Sequence, residues 1–364
     1  MKVRRPVIHA GFVVLLLAGT FLATAACYSP PVQPPEEPLS VAVQEEIENS
    51  IEENVLPEEL NLLPPGAELP VSYYPEIWAY LVSGREQFLD NKQPISDLCY
   101  FGADVDTYGK LVDVPNFKKI SSFPGRKHLV VKCDSRSLTH FVLIEKSAER
   151  KALIQDLLGA AKPYDGFQID FENVPARDRD IFLYFLGELR AGLGKKIFSI
   201  ALPARTRTLK DDVYDYVKIK PLVDRILVMA YDEHWSNSVP GPIASMGWCQ
   251  RAAKYSLETI GPEKLIMGLP FYGRSWGHVN VNKAYIYTGI EGILRDQNIK
   301  EIRRENGIPT FTYDLPLSVT VYFEDDYSLS ARLEMYKRMG VTAVGFWRLG
   351  QETPAFWPII GLEK

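Results

Sequence analysis

Eight short apolar runs, separated by longer helix-like stretches, predict an α/β protein built as a (β/α)8 barrel. The runs are IWAYLV (77–82), DLCYFGA (97–103), HLVVKC (128–133), GFQIDF (166–171), KIFSIALPA (196–204), RILVMAY (225–231), KLIMGLPF (264–271) and AVGFWRL (343–349). Three observations carry the prediction. The runs are nearly continuous in apolar residues, as strands covered on both faces require. Segments such as LTHFVLIEKSAERKALIQDLLGAAK, RDIFLYFLGELRAGLG and LSARLEMYKRMG alternate with them at helical spacing. Eight such units over roughly 290 residues suit a closed barrel. A doubly wound open sheet would want a Gly-rich turn after an early strand, and the chain offers none.

The first element is a leader. MKVRR is a basic start, VIHAGFVVLLLAGTFLA is apolar, and TAAC closes it with small residues. That is the build of a secretory signal, too short and too sharply ended for a spanning helix. Cys27 after Ala25 and Ala26 resembles a bacterial lipobox, in which the cysteine is lipidated and becomes the new N-terminus. Thr24 departs from the aliphatic residue such boxes usually carry. The resemblance implies a signal peptide over 1–26, lipidation at Cys27, and a membrane-anchored protein of the cell envelope, or a secreted one without the lipid.

Residues 27–74 then read as a tether. YSPPVQPPEEP is proline-rich and extended, VAVQEEIENSIEENVL is acidic with helical spacing, and ELNLLPPGAELPVSYYP returns to proline and glycine breaks. The folded body is expected over 75–364. With Cys27 set aside, Cys99, Cys133 and Cys249 make an odd number, which argues against a disulfide framework but leaves one pair open. Five histidines without CxxC or HExxH spacing give no metal site, and no cofactor is called for. A formal charge of -5, a pI near 5.7 and no basic, aromatic-interleaved patch argue against nucleic acid as a partner. The chain is expected to act as a monomer.

In such barrels chemistry collects at the C-terminal ends of the strands. Here Asp170 and Glu172 end the fourth run, Tyr231 and Asp232 the sixth, Tyr272 and Arg274 the seventh, with Trp347 late in the eighth and Tyr80 late in the first. Side chains alternate along a strand, so Gln168, Asp170 and Glu172 share one face, while Phe167, Ile169 and Phe171 share the other. Two residues rise ~6.6 Å, close enough for the two carboxyl groups to raise the proton affinity of one member. A carboxylic acid kept protonated near neutral pH can protonate a leaving oxygen. A salt-bridged strand end fits the same pattern equally well.

The residues also carry a family resemblance. DGFQIDFE is similar to the DGxDxDxE signature of family 18 glycoside hydrolases, the chitinases and their relatives. MAYDEHW (229–235) resembles that family's M-x-Y-D motif, GLPFYGRSW (268–276) its seventh-strand G-x-P-x-Y-G-R, and GFWRLG (345–350) its terminal tryptophan segment. The likeness runs from about Glu76 to Trp357, and YFEDDYSLSARLEM with IDFENVP resembles the bacterial spore-cortex-lytic branch acting on peptidoglycan. It implies substrate-assisted, retaining hydrolysis after an N-acetylglucosamine. Glu172 would be the acid and base, Asp170 would orient the acetamido group, and Tyr231 would hydrogen-bond its oxygen. Asp232, Tyr80, Tyr272 and Arg274 would line the sugar site over a Trp347 floor, with Gln168 beside them. Gln168 stands where the family has a second aspartate, and the third run lacks the S-x-G-G common in chitinases. The segment from Gly277 to about Thr320 looks too short for a full α+β insertion, which predicts an open cleft. A lectin-like binder, a chitinase and an endo-β-N-acetylglucosaminidase are the alternatives.

Overall fold

Each of the eight apolar runs forms a parallel strand, and the eight close into a ring. The computed structural model describes residues 67–363 except 278–282 and 315–317. The leader, Cys27 and the tether up to residue 66 therefore lie outside the described residues. The staves are β1 (Glu76–Val82), β2 (Asp97–Val105), β3 (Arg126–Lys132), β4 (Gly166–Asp170), β5 (Ile197–Pro203), β6 (Arg225–Met229), β7 (Leu265–Pro270) and β8 (Ala343–Trp347). Each pairs with its sequence neighbours, and β8 returns to pair with β1, Val344 opposite Ile77.

Phe167, Ile169 and Phe171 do turn outward. Phe171 stacks on Phe182 and Phe185 of the helix α3, Arg179–Leu193. That helix buries Phe182, Phe185, Leu186, Leu189 and Leu193, an i, i+3, i+4 stripe facing the barrel. The stretch after β3 splits into α1 (Arg136–Leu143) and α2 (Ala148–Ala160), because the Ser147 side chain accepts from the Arg150 backbone and starts a new helix. Further helices are α4 (Met246–Thr259), α5 (Tyr287–Asp296) and α6 (Asp326–Arg338). The early crossovers are lighter: 3-10 turns at Glu86–Phe88 and Phe117–Ile120 stand where β1–β2 and β2–β3 would carry helices. Among the described residues no helix is long and apolar enough to cross a membrane.

Two expectations are corrected. The body starts before residue 75, because Ser72–Tyr74 pairs in parallel with Ile360–Leu362. Tyr74 is fully buried, and its hydroxyl donates to the Leu333 carbonyl at 2.5 Å. The segment after β7 is also more structured than its length suggested. Strands Gly273–Gly277, Lys283–Tyr285, Arg303–Glu305, Ile308–Asp314 and Ser318–Tyr322 form an antiparallel sheet, with α5 beside it. Ile290, Phe311, Val319, Val321 and Phe323 give this α+β unit its own small core. Asn306 and Gly307, both at positive φ, form the two-residue turn that lets Glu305 face Ile308.

Candidate functional site

The C-terminal ends of the staves surround a cavity of about 570 Å³. That lies within the range of about 300–1,000 Å³ common to small-ligand sites. Tyr80, Asp170, Glu172, Tyr231, Asp232, Tyr272, Arg274 and Trp347 all line it.

Asp170 is the last residue of β4 and is buried, with Oδ1 lacking a hydrogen-bond partner among the described residues. Glu172 sits two residues on, exposed in the turn above it. That turn is held from both sides. Tyr214 donates from its hydroxyl to the Phe171 carbonyl at 2.7 Å and accepts from the Val174 amide at 3.0 Å. The Asn173 side chain donates to the Asp134 carbonyl at 2.7 Å, and Thr139 donates to the Asn173 carbonyl at 3.0 Å. These bonds hold the backbone on both sides of Glu172 in place.

Burial first, then the negative charge of Glu172, pushes the Asp170 carboxyl well above the usual aspartate range, and Lys132 opposes the rise. Glu172 is also raised: although the residue is exposed overall, it faces the cavity and is partly desolvated, and Asp134 and Asp232 repel its ionised form. The two titrate as a pair, and a proton shared by that pair is available at the mouth of the cavity. Tyr231 stays a neutral phenol, because burial and the charges of Asp170, Glu172 and Asp232 disfavour its ionised form.

Asp232 follows β6 with φ of 59°, a left-handed conformation that aspartate tolerates better than most side chains. Arg274 grips it with Nε to Oδ1 and Nη2 to Oδ2, both at 2.9 Å, while the Tyr272 hydroxyl donates to Oδ1 at 2.5 Å. Tyr231 and Tyr272 meet edge to face at 6.4 Å. The four candidates after β6 and β7 thus form one connected group in the cavity wall, with Asp232 clamped by Arg274 and Tyr272. At the end of the next stave, β8, Trp347 lies against Tyr80 and Phe101, with ring centroids 5.3 and 4.9 Å apart.

Gln168 does not reach the cavity. It is fully buried one layer below Asp170, where its Oε1 accepts from the Tyr80 hydroxyl at 2.5 Å and its Nε2 donates to Ser199 Oγ at 3.0 Å. Alternation fixed its face correctly, but two residues of rise place it inside the barrel rather than at the mouth.

Lys132, Asp134, Phe101 and Trp248 line the cavity without having been singled out from the sequence. Lys132 and Asp134 close the third apolar run, so the strand-end rule already marked their position. Trp248 lies in α4, where no local pattern distinguishes a cavity-lining tryptophan from a packed one. Cys99, Cys133 and Cys249 are each buried and free. Among the described residues no group of three or more His, Cys, Asp or Glu could hold a metal ion.

The profile of Glycosyl hydrolases family 18 matches residues 104–352. The chain belongs to glycosyl hydrolases family 18. Among relatives, the Bacillus subtilis uncharacterized glycosylase YvbX is 29% identical over 231 residues, 60% of this chain and 67% of that one. The Bacillus anthracis cortical fragment-lytic enzyme is 25% identical over 243 residues, 62% of this chain and 56% of that one. The family 18 chain therefore spans only a little over half the length of the latter. The crystal structure of the Bacillus cereus spore cortex-lytic enzyme SleL superposes with a TM-score of 0.71 at 22% identity, covering 82% of this chain and 77% of that one. At that identity the likeness supports the shared barrel.

Proposed function

We propose that this family 18 protein is a retaining, substrate-assisted glycosidase that cleaves β-1,4 bonds following N-acetylglucosamine in cell-envelope glycan, with peptidoglycan as the substrate. One observation carries the reading: the Asp170–Glu172 pair, with raised proton affinity, stands at the mouth of an aromatic-walled cavity. The Glu172 carboxyl gives its proton to the glycosidic oxygen as the bond to the anomeric carbon breaks. The substrate's acetamido oxygen attacks that carbon, forming an oxazolinium ion. Asp170 faces the acetamido nitrogen and takes up its positive charge, while the Tyr231 hydroxyl donates to the acetamido oxygen. Glu172, now a carboxylate, accepts a proton from water, which attacks the anomeric carbon from the opposite face and restores the acetamide. Two inversions leave the configuration retained.

The cortical fragment-lytic relatives support the choice of peptidoglycan over chitin. The basic-apolar leader and Cys27 support a protein exported and held at the envelope by lipid.

The test is release of reducing ends from solubilised peptidoglycan, with chitin oligomers alongside and the product anomer followed by NMR. The wild type is expected to release the β-anomer first. Glu172→Gln should lose about 10²–10⁴ in turnover, the usual worth of a positioned acid. Tight binding of either glycan by the wild type without cleavage would replace the reading with a sugar-binding one.

A further inference from the structure

The end of β3 carries charges that the reaction at Glu172 has not yet used. Lys132 Nζ lies 2.7 Å from Asp104 Oδ2 and 2.6 Å from Asp134 Oδ2. Lys132 is register partner to Asp170 across the β3–β4 ladder, so the two side chains leave the sheet on the same face. Asp134 is tied through its carbonyl to Asn173, the residue after Glu172. Lys132, Asp134, Asp170 and Glu172 line one cavity.

Two carboxylates against one ammonium leave this triad with a net negative charge. Of the other charges near Glu172, Asp170 shares a proton with it, and Asp232 adds to the repulsion although it is itself paired. Asp232 is matched two-pronged by Arg274, and Arg205 likewise by Asp212. Tyr214, Tyr231 and Tyr272 are neutral phenols, their ionised forms disfavoured by burial. On the outer side a shallow depression holds Arg136, Lys210 and Asp211, toward solvent. On the strand itself, position 168 supplies only a neutral amide.

We propose that the Asp104–Lys132–Asp134 triad is a positioning device for the acid, supplying from β3 a net negative charge that favours the proton on Glu172, with Lys132 limiting its strength. The proposal rests on the reading of Glu172 as proton donor. Asp134 and Lys132 act on Glu172 in opposite senses, the first raising and the second lowering its proton affinity. The two aspartates hold Lys132 above the ordinary lysine range against the effect of its burial, so it is a fixed cation wherever the enzyme would work.

The effects of substitution follow in sign. Asp134→Asn removes a repelling charge and frees Lys132, and both changes favour ionised Glu172. Lys132→Met removes an attracting charge and unmasks two carboxylates, and both changes favour the protonated form. Because turnover needs the protonated acid, the first variant moves the alkaline limb of the kcat/KM profile to lower pH and the second to higher pH. Each shift should be about half a unit to one unit, as for a charge acting across a partly screened gap.

The experiment measures kcat/KM against pH for wild type, Asp134→Asn, Lys132→Met and Lys132→Arg on whichever of solubilised peptidoglycan or chitin oligomers the wild type cleaves. Opposite shifts, with Lys132→Arg staying at the wild-type limb, support the triad. Limbs that stay put, or move together, overturn it. Should Lys132→Met fail to fold, the near-isosteric Asp134→Asn decides by its sign alone. An active Glu172→Gln would remove the acid and the triad with it, whereas an inactive one beside unmoved limbs removes only the triad.

Discussion

Gln168 shows how one side chain can be tied to a site it does not touch, through Tyr80. Its amide accepts from Tyr80 and donates to Ser199, a division of labour that an ionised carboxylate, which only accepts, could not perform. Tyr80 then stands upright against Trp347. Tyr80→Phe leaves the buried Gln168 oxygen unsatisfied, which should cost about 1–3 kcal/mol, read as a lower urea midpoint at unchanged slope. A midpoint equal to wild type would mean the hydroxyl is dispensable to the fold. At this scale much of the site was legible, because a period of two decides which face Asp170 and Glu172 share. Depth was not legible, so Gln168 was placed a layer too high. Lys132 and Asp134 were not legible as site residues, because charges at a strand end are ordinary where strands meet solvent.

Among the elements, β6 and β7 meet at a point where only glycine fits. A Cβ on Gly268 would come within 2.8 Å of the Val228 carbonyl oxygen and 3.0 Å of Tyr231 Cε1. The carbonyl belongs to the neighbouring stave, so the β6–β7 spacing has to give, and the Tyr231 ring has to shift as well. Gly268→Ala should cost about 1–3 kcal/mol by overpacking and lower kcat/KM beyond what residual unfolding explains. Parallel measurement of thermal melting and initial rates checks this, and full activity in the folded fraction would clear Tyr231 of displacement. All eight staves were readable as apolar runs, since both of their faces are covered. The break between α1 and α2 was not read, although Ser147 signals it. The unit after β7 is not legible from the length of its segment, and its clearest local signal is the Asn306–Gly307 hairpin turn.

For the molecule as a whole, the barrel has an ionic floor opposite its cleft. Asp97, fully buried at the start of β2, accepts from Arg126 Nε and Nη2, both at 2.6 Å, and lies 2.8 Å from His128 Nε2. Burial raises its proton affinity, but the bonds from His128 and Arg126 outweigh it and hold the carboxyl below the usual aspartate range. A depressed folded value means the stabilisation is complete above the unfolded pKa of about 3.9 and fades as pH falls through the folded one. Asp97→Ala should cost about 2–4 kcal/mol at neutral pH, tempered by the half-exposed Arg126. Urea melts of both proteins at neutral pH and near pH 3 check this, and the gap should narrow in acid. A gap that holds constant would assign the cost to packing instead. The fold class was legible because the strand count and the covered faces leave few architectures. The order in which the ring is sealed is visible only in three dimensions. Val344 must find Ile77, and Ile360 must find Ser72, across nearly the whole chain. During biosynthesis, a polypeptide lacking β8 would therefore expose two unpaired sheet edges, on β1 and on β7, and would be sticky until that strand, Ala343–Trp347, arrived.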